Sequence, residues 1–442
     1  MRKVFVIAVV TLIGITTGLR AQFGAPDVDA RISKLIASIS ESRMEQRLRT
    51  LVGFGTRNTL SDTASDARGV GAARQWILDE MKRSSPKLQV SFDTHQIAKG
   101  AYQRITRDVE LRNIVAVLPG RSPRRIYVSG HYDTINLGAL GQAGLNAGGA
   151  LNIAENADAP GADDDGSGTV LVMELARAFA ESGIDFDATL VFTAVAGEEY
   201  GLIGAREEAR AAKAAKVPVQ AIFNNDIVGG STGGDGIVDG ATIRLYSEGP
   251  EDSPSRSLAI FTQRVAARYV PSHRIRLMAL RDRFNRGGDH TAWNLEGFPA
   301  VGFRESRENY SKQHNANDTI EGVSFAYLGQ NARVNAAAMA VLALAPPPPA
   351  VTTDRGAPRL DRRASGYDAH LQWTASAGAA GYRIFWREAW AADWQHEMFV
   401  GNVTEYTLPH MNIDDWVFGV AAVDSDGHES TVSAYVAAPA NY

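Results

Sequence analysis

The stretch Gly161-Ala-Asp-Asp-Asp-Gly-Ser-Gly168 sets the reading of the chain. Three adjacent aspartates repel one another unless something positive sits among them, and a metal ion is the simplest candidate. Directly after them, Leu171, Leu175 and Phe179 recur four residues apart, one turn down a single helical face. The aspartates therefore fall at a helix start, where the dipole favours anions. Alone, such a triplet is a turn or a helix N-terminus.

Working outward, Asn113-Ile-Val-Ala-Val-Leu118 and Arg125-Ile-Tyr-Val-Ser129 lie upstream, and Ala188–Val195 and Ala221-Ile-Phe-Asn224 lie downstream. These short, apolar, β-branched runs suit buried strands of a parallel sheet. Their alternation with helical stretches predicts an α/β domain with a mixed, largely parallel central sheet and helices on both faces. Ile32, Leu35, Ile36 and Ile39, and then Val70, Ala73, Ile77 and Met81, have helical spacing. Lys87 to Ile97 alternates as a strand with Leu88, Val90 and Phe92 on one face. A strand over Thr242–Tyr246 and helices over Pro254–Ala267 and Ser324–Leu344 follow. The Gly-rich residues 229–240 lack the Lys-Ser/Thr ending of a phosphate loop and read as a flexible surface loop.

The chain has 442 residues, with 45% hydrophobic and 21% charged, which describes an ordinary globular protein of two or three domains. Arg2 and Lys3, the apolar run Val4 to Ile15 and the small residue Ala21 predict a signal peptide over residues 1–21. Export to the periplasm or the extracellular space is therefore expected. That run is short for a membrane span, and no later one is long enough, so none is expected after processing. Cleavage would remove three basic residues and no acid, making the net charge of −5 more negative. An acidic chain without a basic run argues against nucleic acid as a partner. With no cysteine present, there is no disulfide, and any metal site must be built from histidine and carboxylate.

Metal-type side chains stand at the ends of the predicted central strands. His131-Tyr-Asp133 follows the Arg125 strand, Glu198-Glu199 follows the Leu190 strand, and Asp226 follows the Ala221 strand. In open α/β sheets these carboxyl ends form the ligand crevice. A lone His-x-Asp is ordinarily a surface pair, and a Glu-Glu pair is ordinarily solvated charge. Their joint placement beside the Asp163–Asp165 turn points instead to one site.

Here the chain resembles the secreted co-catalytic dizinc aminopeptidases, the family of bacterial leucyl aminopeptidases and aminopeptidase Y. The resemblance covers about residues 30–345. The residues that carry it are Ser129-Gly-His-Tyr-Asp133, Pro160–Gly168, Ala196-Gly-Glu-Glu-Tyr-Gly-Leu202, Asn225-Asp226 and His314-Asn-Ala-Asn-Asp-Thr319. It implies a zinc-dependent peptidase that releases N-terminal amino acids from peptide substrates. It also implies two Zn2+ ions, with Mn2+ or Co2+ as substitutes. His131 and Asp226 would hold one ion, Glu199 and His314 the other, and Asp164 would bridge them. Glu198 would be the general base, and Asp133 would orient His131 through its far nitrogen. Asp163 and Asp165 would hold the turn or cap the helix. His290 matches a family segment as a structural or substrate-side residue. Where some relatives place a tyrosine that steadies the tetrahedral intermediate, Asn285 stands here. The Gly/Ala-rich stretch Leu137 to Pro160 reads either as a lid over the site or as a loose insertion.

The catalytic domain is expected over residues 22–345, and Pro346 to Pro349 open a stiff linker over residues 346–356. Residues 357–442 then show period-two patterns separated by turns, the signature of a small all-β sandwich. Leu371-Gln-Trp373, Gly381–Trp386, Tyr406–Pro409 and Val417–Asp424 resemble fibronectin type III modules. Trp373 and Tyr382 read as core, and His370, His396, His410 and His428 as surface. Such a module could bind a surface or polymer. Three alternatives stay open: a carboxypeptidase or dipeptidase, a single-zinc glutaminyl cyclase, and a non-enzymatic surface-binding protein.

Overall fold

The computed structural model describes residues 28–137 and 154–436. The signal peptide read over residues 1–21 and most of the Leu137–Pro160 stretch lie outside them. Helices α1 (Ala30–Ala37), α2 (Glu41–Gly53) and α3 (Gly69–Ser84) open the described chain. The Ile32–Ile39 periodicity breaks early because the Ser40 side chain accepts from Arg43 N, starting α2 as a separate, unforeseen helix. Next come β1 (Gln89–Ile97), β2 (Val109–Leu118), β3 (Ser122–His131), α4 (Gly166–Glu181) and β4 (Ala188–Val195). They are followed by α5 (Ile203–Ala214), β5 (Val219–Asn225), β6 (Thr242–Ser247), α6 (Pro254–Tyr269) and β7 (Arg274–Met278). Helix α7 (Asp289–Leu295), β8 (Ala300–Glu305) and α8 (Phe325–Leu344) complete the unit.

The eight strands form one sheet in the order β1-β2-β4-β3-β5-β8-β6-β7. Its centre is parallel: β3 pairs with β4 on one side and β5 on the other, and β5 pairs with β8. The mixed, largely parallel α/β sheet read from the sequence is the one present. Alternate residues of the central strands serve opposite faces. Val128, Phe192 and Phe223 enter the larger core, packed with side chains of α1–α4, α6 and α8. Tyr127, Val191 and Ile222 enter a smaller core with Ala209 and Ala212 of α5 and Trp293 of α7. Helix α8 is apolar nearly all round, and its run Ala336–Ala338 is fully buried, as expected of a helix inside the larger core.

Two antiparallel sheets follow. One has β13 (Glu405–Leu408), β10 (Ala369–Gln372) and β9 (Leu360–Asp361); the other has β12 (His396–Gly401), β11 (Gly381–Glu388), β14 (Trp416–Val423) and β15 (Ser433–Ala434). They enclose a separate core in which the Trp373 and Tyr382 rings stand 5.5 Å apart. The stretch after α8 is not a free spacer, since Pro346 and Pro349 are buried. Arg387 of β11 pairs with Asp252, just before α6, at 2.6 Å with both side chains buried. Arg264 of α6 stacks 5.1 Å from the Phe385 ring centroid and pairs with Glu397.

Two of the four histidines read as surface are buried. His370 sits behind β13, where its Nδ1 meets Thr407 Oγ1 at 2.9 Å. His428 is held between Asp424 Oδ2 at 2.7 Å and Asp29 Oδ2, at the cap of α1, at 3.0 Å. Burial opposes its protonation, but Asp424 and Asp29 outweigh it and raise its pKa above the ordinary value. The charged form is therefore the one that favours the folded state. The stability advantage of the wild type over His428→Ala should be complete below a pH of about 6.5 and vanish as pH rises through the raised folded-state value. Its size is expected to be on the order of 1 kcal/mol or less. Paired chemical-denaturation curves between pH 5 and 9 measure it; a difference that grows with pH contradicts the clasp.

Candidate metal centre

Three neighbouring strands deliver the acids and the first histidine to one edge of the sheet. β3 ends on His131, β5 is followed by Asp226, and β4 turns through Gly197, at a φ of 72°, into Glu198 and Glu199. Asp164 arrives from the turn before α4, and His314 from the segment between β8 and α8. His131 Nε2 lies 3.3 Å from Asp164 Oδ1 and 3.7 Å from Asp226 Oδ1. His314 Nε2 lies 3.1 Å from Asp164 Oδ2 and 3.4 Å from Glu199 Oε2. Asp164 is thus the residue within reach of both histidines.

The donor atoms are those a cation would take. His131 Nε2 and Asp164 Oδ2 are buried without a hydrogen-bond partner, while Asp226 Oδ1 faces the Arg304 guanidinium. Orphaned polar atoms of this kind are costly unless an ion or water satisfies them. His131, Asp164 and Glu199 bring one ligand atom each within 4.8 Å of one another, and so do His131, Asp165 and Asp226. Asp165, however, is already engaged on both oxygens. Its Oδ1 accepts from Gly168 N at 2.9 Å and Ile227 N at 3.3 Å, and its Oδ2 accepts from His131 N at 2.9 Å. It is the N-cap of α4. Asp164 therefore fits a shared ligand better, and Asp165 fits a scaffold.

The other acids around the site are also scaffold. Asp318 accepts from Asp163 N at 3.0 Å and Asp164 N at 2.9 Å. Asp163 Oδ1 accepts from Gly229 N at 2.8 Å. The first two glycines of the 229–240 stretch are accordingly buried against this acid rather than free on the surface. A Cβ on Gly230 would collide with Glu305 Oε2, so the close approach requires glycine there. Asp133 departs from the expected geometry. Its backbone carbonyl takes His131 Nδ1 at 3.0 Å, while its carboxylate stands 3.6 Å away. The carboxylate instead accepts from Thr59 Oγ1 at 2.9 Å, Glu198 N at 3.0 Å and Glu199 N at 3.3 Å. It fixes the Glu-Glu turn, and the carbonyl fixes the imidazole.

Burial and crowding set the protonation states. Glu198 is pushed up to about 7, chiefly by desolvation, with Asp226, Asp164 and Asp133 adding to it and His131 opposing. Glu199 raises His314 to about 9 with help from Asp164. For His131, burial opposes protonation, but Glu198, Asp133, Asp164 and Asp226 together overcome it. Desolvation alone would raise Asp164, yet the two histidines hold it well below the usual carboxylate range.

Asn285 is exposed, at a φ of 56°, and is not part of the cavity wall. His290 is fully buried, with Nε2 2.8 Å from Arg281 O and 3.5 Å from Asp282 Oδ2, and takes no part in the cluster. Three residues near the site escaped the sequence reading. Arg57 is buried and its guanidinium donates to the carbonyls of Tyr132 at 2.6 Å, Pro160 at 2.6 Å and Gly161 at 2.8 Å. Arg304 of β8 forms an ion pair with Asp226 Oδ1 and donates to the Asp226 carbonyl at 3.1 Å. Asp289, at the start of α7, is buried with neither carboxylate oxygen partnered, and Glu198 is among the groups that raise its pKa.

Asp164→Asn should lose bound zinc while moving the unfolding midpoint of the metal-free protein only modestly. Asp165→Ala should lower unfolding free energy by about 3 kcal/mol, because three backbone N–H groups lose their acceptor. Metal analysis and denaturant unfolding of both variants read this out; equal effects would mean the two aspartates share one role.

A profile of peptidase family M28 matches residues 113–339. A protein described as a probable zinc metalloprotease from Pyricularia oryzae is 36% identical, covering 91% of this chain and 84% of its own. One from Leptosphaeria maculans is 35% identical, covering 92% and 96%. Among solved structures, an aminopeptidase from Legionella pneumophila aligns with a TM-score of 0.53 at 19% identity, covering 71% of this chain and 74% of that one. A glutaminyl cyclase from Porphyromonas gingivalis aligns with a TM-score of 0.51, also at 19% identity, covering 68% and 98%. The structures share the fold, and the sequence matches go further: the chain belongs to peptidase family M28.

Proposed function

We propose that the chain is an exported dizinc aminopeptidase. The observation that carries this is the meeting of His131, Asp164, Glu199, Asp226 and His314 around unpartnered buried atoms, with Glu198 on the same cavity wall. His131 and Asp226 would hold one zinc, Glu199 and His314 the other, and Asp164 both. The donor set of histidine and carboxylate suits zinc, and the fungal relatives are described as probable zinc metalloproteases. Bound zinc would supply Lewis-acid polarisation of the scissile carbonyl and a more acidic attacking water. Glu198 would accept the proton of the attacking water and return it to the leaving amine. Without metal, burial raises its pKa to about 7, the direction that suits a carboxylate that both accepts and donates a proton. Asp133 contributes by position, holding the backbone of Glu198 and Glu199 in place.

Export rests on the leader-like residues 1–21. The C-terminal sheets are read as a fibronectin type III-like module, supported by the Trp373 and Tyr382 core. One observation favours a second reading, a dipeptidase or carboxypeptidase: several arginines line the cavity and could take a C-terminal carboxylate.

Glu198→Gln should cut kcat for an aminoacyl arylamide by about a hundredfold or more, with bound zinc unchanged. Full activity in that variant would remove Glu198 from the reaction. Acetylating the substrate's amino terminus should abolish turnover. Continued cleavage of the blocked peptide would instead establish the carboxypeptidase reading.

A further inference from the structure

The cavity in front of the cluster is lined by charged groups of both signs: the carboxylates Asp164, Glu198, Glu199 and Asp226 on the cluster side, and five arginines around them. The cavity measures about 550 Å³ and is lined by Arg104, Arg206, Arg283, Arg286 and Arg304. No aliphatic side chain lines it among the described residues. Three of the arginines are already committed to acids. Arg283 pairs with Asp282 at 3.0 Å and Glu308 at 2.6 Å, Arg286 with Glu308 at 3.4 Å, and Arg304 with Asp226 and Asp282. The other two are not. Arg104 donates to the Glu199 carbonyl and Arg206 Nε to the Gly201 carbonyl at 3.0 Å, and neither makes an ion pair among the described residues.

Both guanidinium groups thus rest on one turn, residues 199–201, which begins with the carbonyl of Glu199 and ends with that of Gly201. Each is half-buried, where an unpaired cation has lost part of its hydration. A planar guanidinium matches a carboxylate with paired N–H donors. An aliphatic side chain would displace water from these arginines and return no hydrogen bond, whereas a carboxylate would neutralise them.

We propose that Arg104 and Arg206 form a carboxylate-binding wall, so that the preferred substrates carry an anionic group beside the scissile bond. The proposal rests on the aminopeptidase reading of the same pocket. Two sources present this chemistry: the side chain of an N-terminal glutamate or aspartate, and the terminal carboxylate of a dipeptide. Arg206 is the cleaner probe, because Arg104 also holds the carbonyl of Glu199.

The zinc-loaded full chain is assayed on glutamyl and leucyl arylamides, and on Leu-Ala and Leu-Ala-amide. At least one carboxylate-bearing substrate should exceed its neutral counterpart in kcat/KM by roughly tenfold or more. Arg206→Ala should collapse that ratio, mainly through KM, and Arg206→Lys should restore part of it. The glutamyl arm identifies a side-chain carboxylate, and the dipeptide arm a terminal one. Equal rates in both pairs, or a ratio unchanged in Arg206→Ala, overturn the proposal. If the wild type cleaves none of the four, the aminopeptidase reading fails, and calorimetric titration with glutarate decides the wall alone. Binding that Arg206→Ala abolishes supports it; absence of binding to the wild type refutes it.

Discussion

The Asp165 carboxylate joins three pieces of chain that are distant in sequence. It accepts from the N–H of His131 at the end of β3, of Gly168 in the first turn of α4, and of Ile227 just beyond β5. Each such bond contributes about 0.5–1.5 kcal/mol. Gly130 and Gly168 make the approach possible, since a Cβ on Gly130 would stand 2.6 Å from the Gly168 backbone. Asp133 and Asp318 repeat the device, one gripping the Glu198–Glu199 backbone and the other the Asp163–Asp164 backbone. The acids therefore divide into two sets by what reaches them: an outer set held by backbone N–H groups, and an inner set facing His131, His314 and Arg304.

That division explains how so many carboxylates coexist in a buried space. Backbone N–H groups favour the charged form of the outer acids, but burial outweighs them, raising Asp165 well above the usual carboxylate range and Asp318 to about 8; Arg57 adds a positive charge behind them, its own pKa lowered to about 10 by burial. The inner acids have His131, His314 and Arg304, which leave them unevenly protonated. Asp164 and Asp226 stay ionised, while desolvation raises Glu198 and Glu199. A carboxylate raised toward neutrality thus stands beside others that remain anionic.

Much of this was legible in the order of residues along the chain. Runs such as Arg125–Ser129 and Ala188–Val195 are buried on both faces of the sheet, so they read as strands directly, and the acids after them inherit a common edge. The parting of Asp164 from Asp163 and Asp165 came from the family resemblance, and Asp165 is the residue that caps the helix. What stayed hidden depends on tertiary contact. Arg57 lies in a loop with no periodicity, and its partners are carbonyls, which no side-chain pattern records. Arg304 sits in β8, a strand of Ala300-Val-Gly-Phe-Arg-Glu305 whose last two residues look like solvated charge but are buried. His370 and His428 have no ligand spacing, and only the packing around β13 and the cap of α1 shows that they are enclosed. Ser40 was the readable signal for α2, but a cap inside a continuous apolar rhythm is easily passed over.

The arginine-lined cavity belongs to a chain whose formal net charge is −5. Far from the surface, the net field of such a molecule repels an anion; within the cavity, the guanidinium groups attract it. The balance between these fields changes over the screening distance, about 8 Å at physiological ionic strength. Dilute buffer extends the repulsive halo, and moderate salt shortens it while leaving half-buried contacts less affected. An anionic ligand would then be captured faster as salt rises from very low values, until screening reaches the cavity itself. Encounter would have an ionic-strength optimum, a kinetic property set by the contrast between overall charge and local lining.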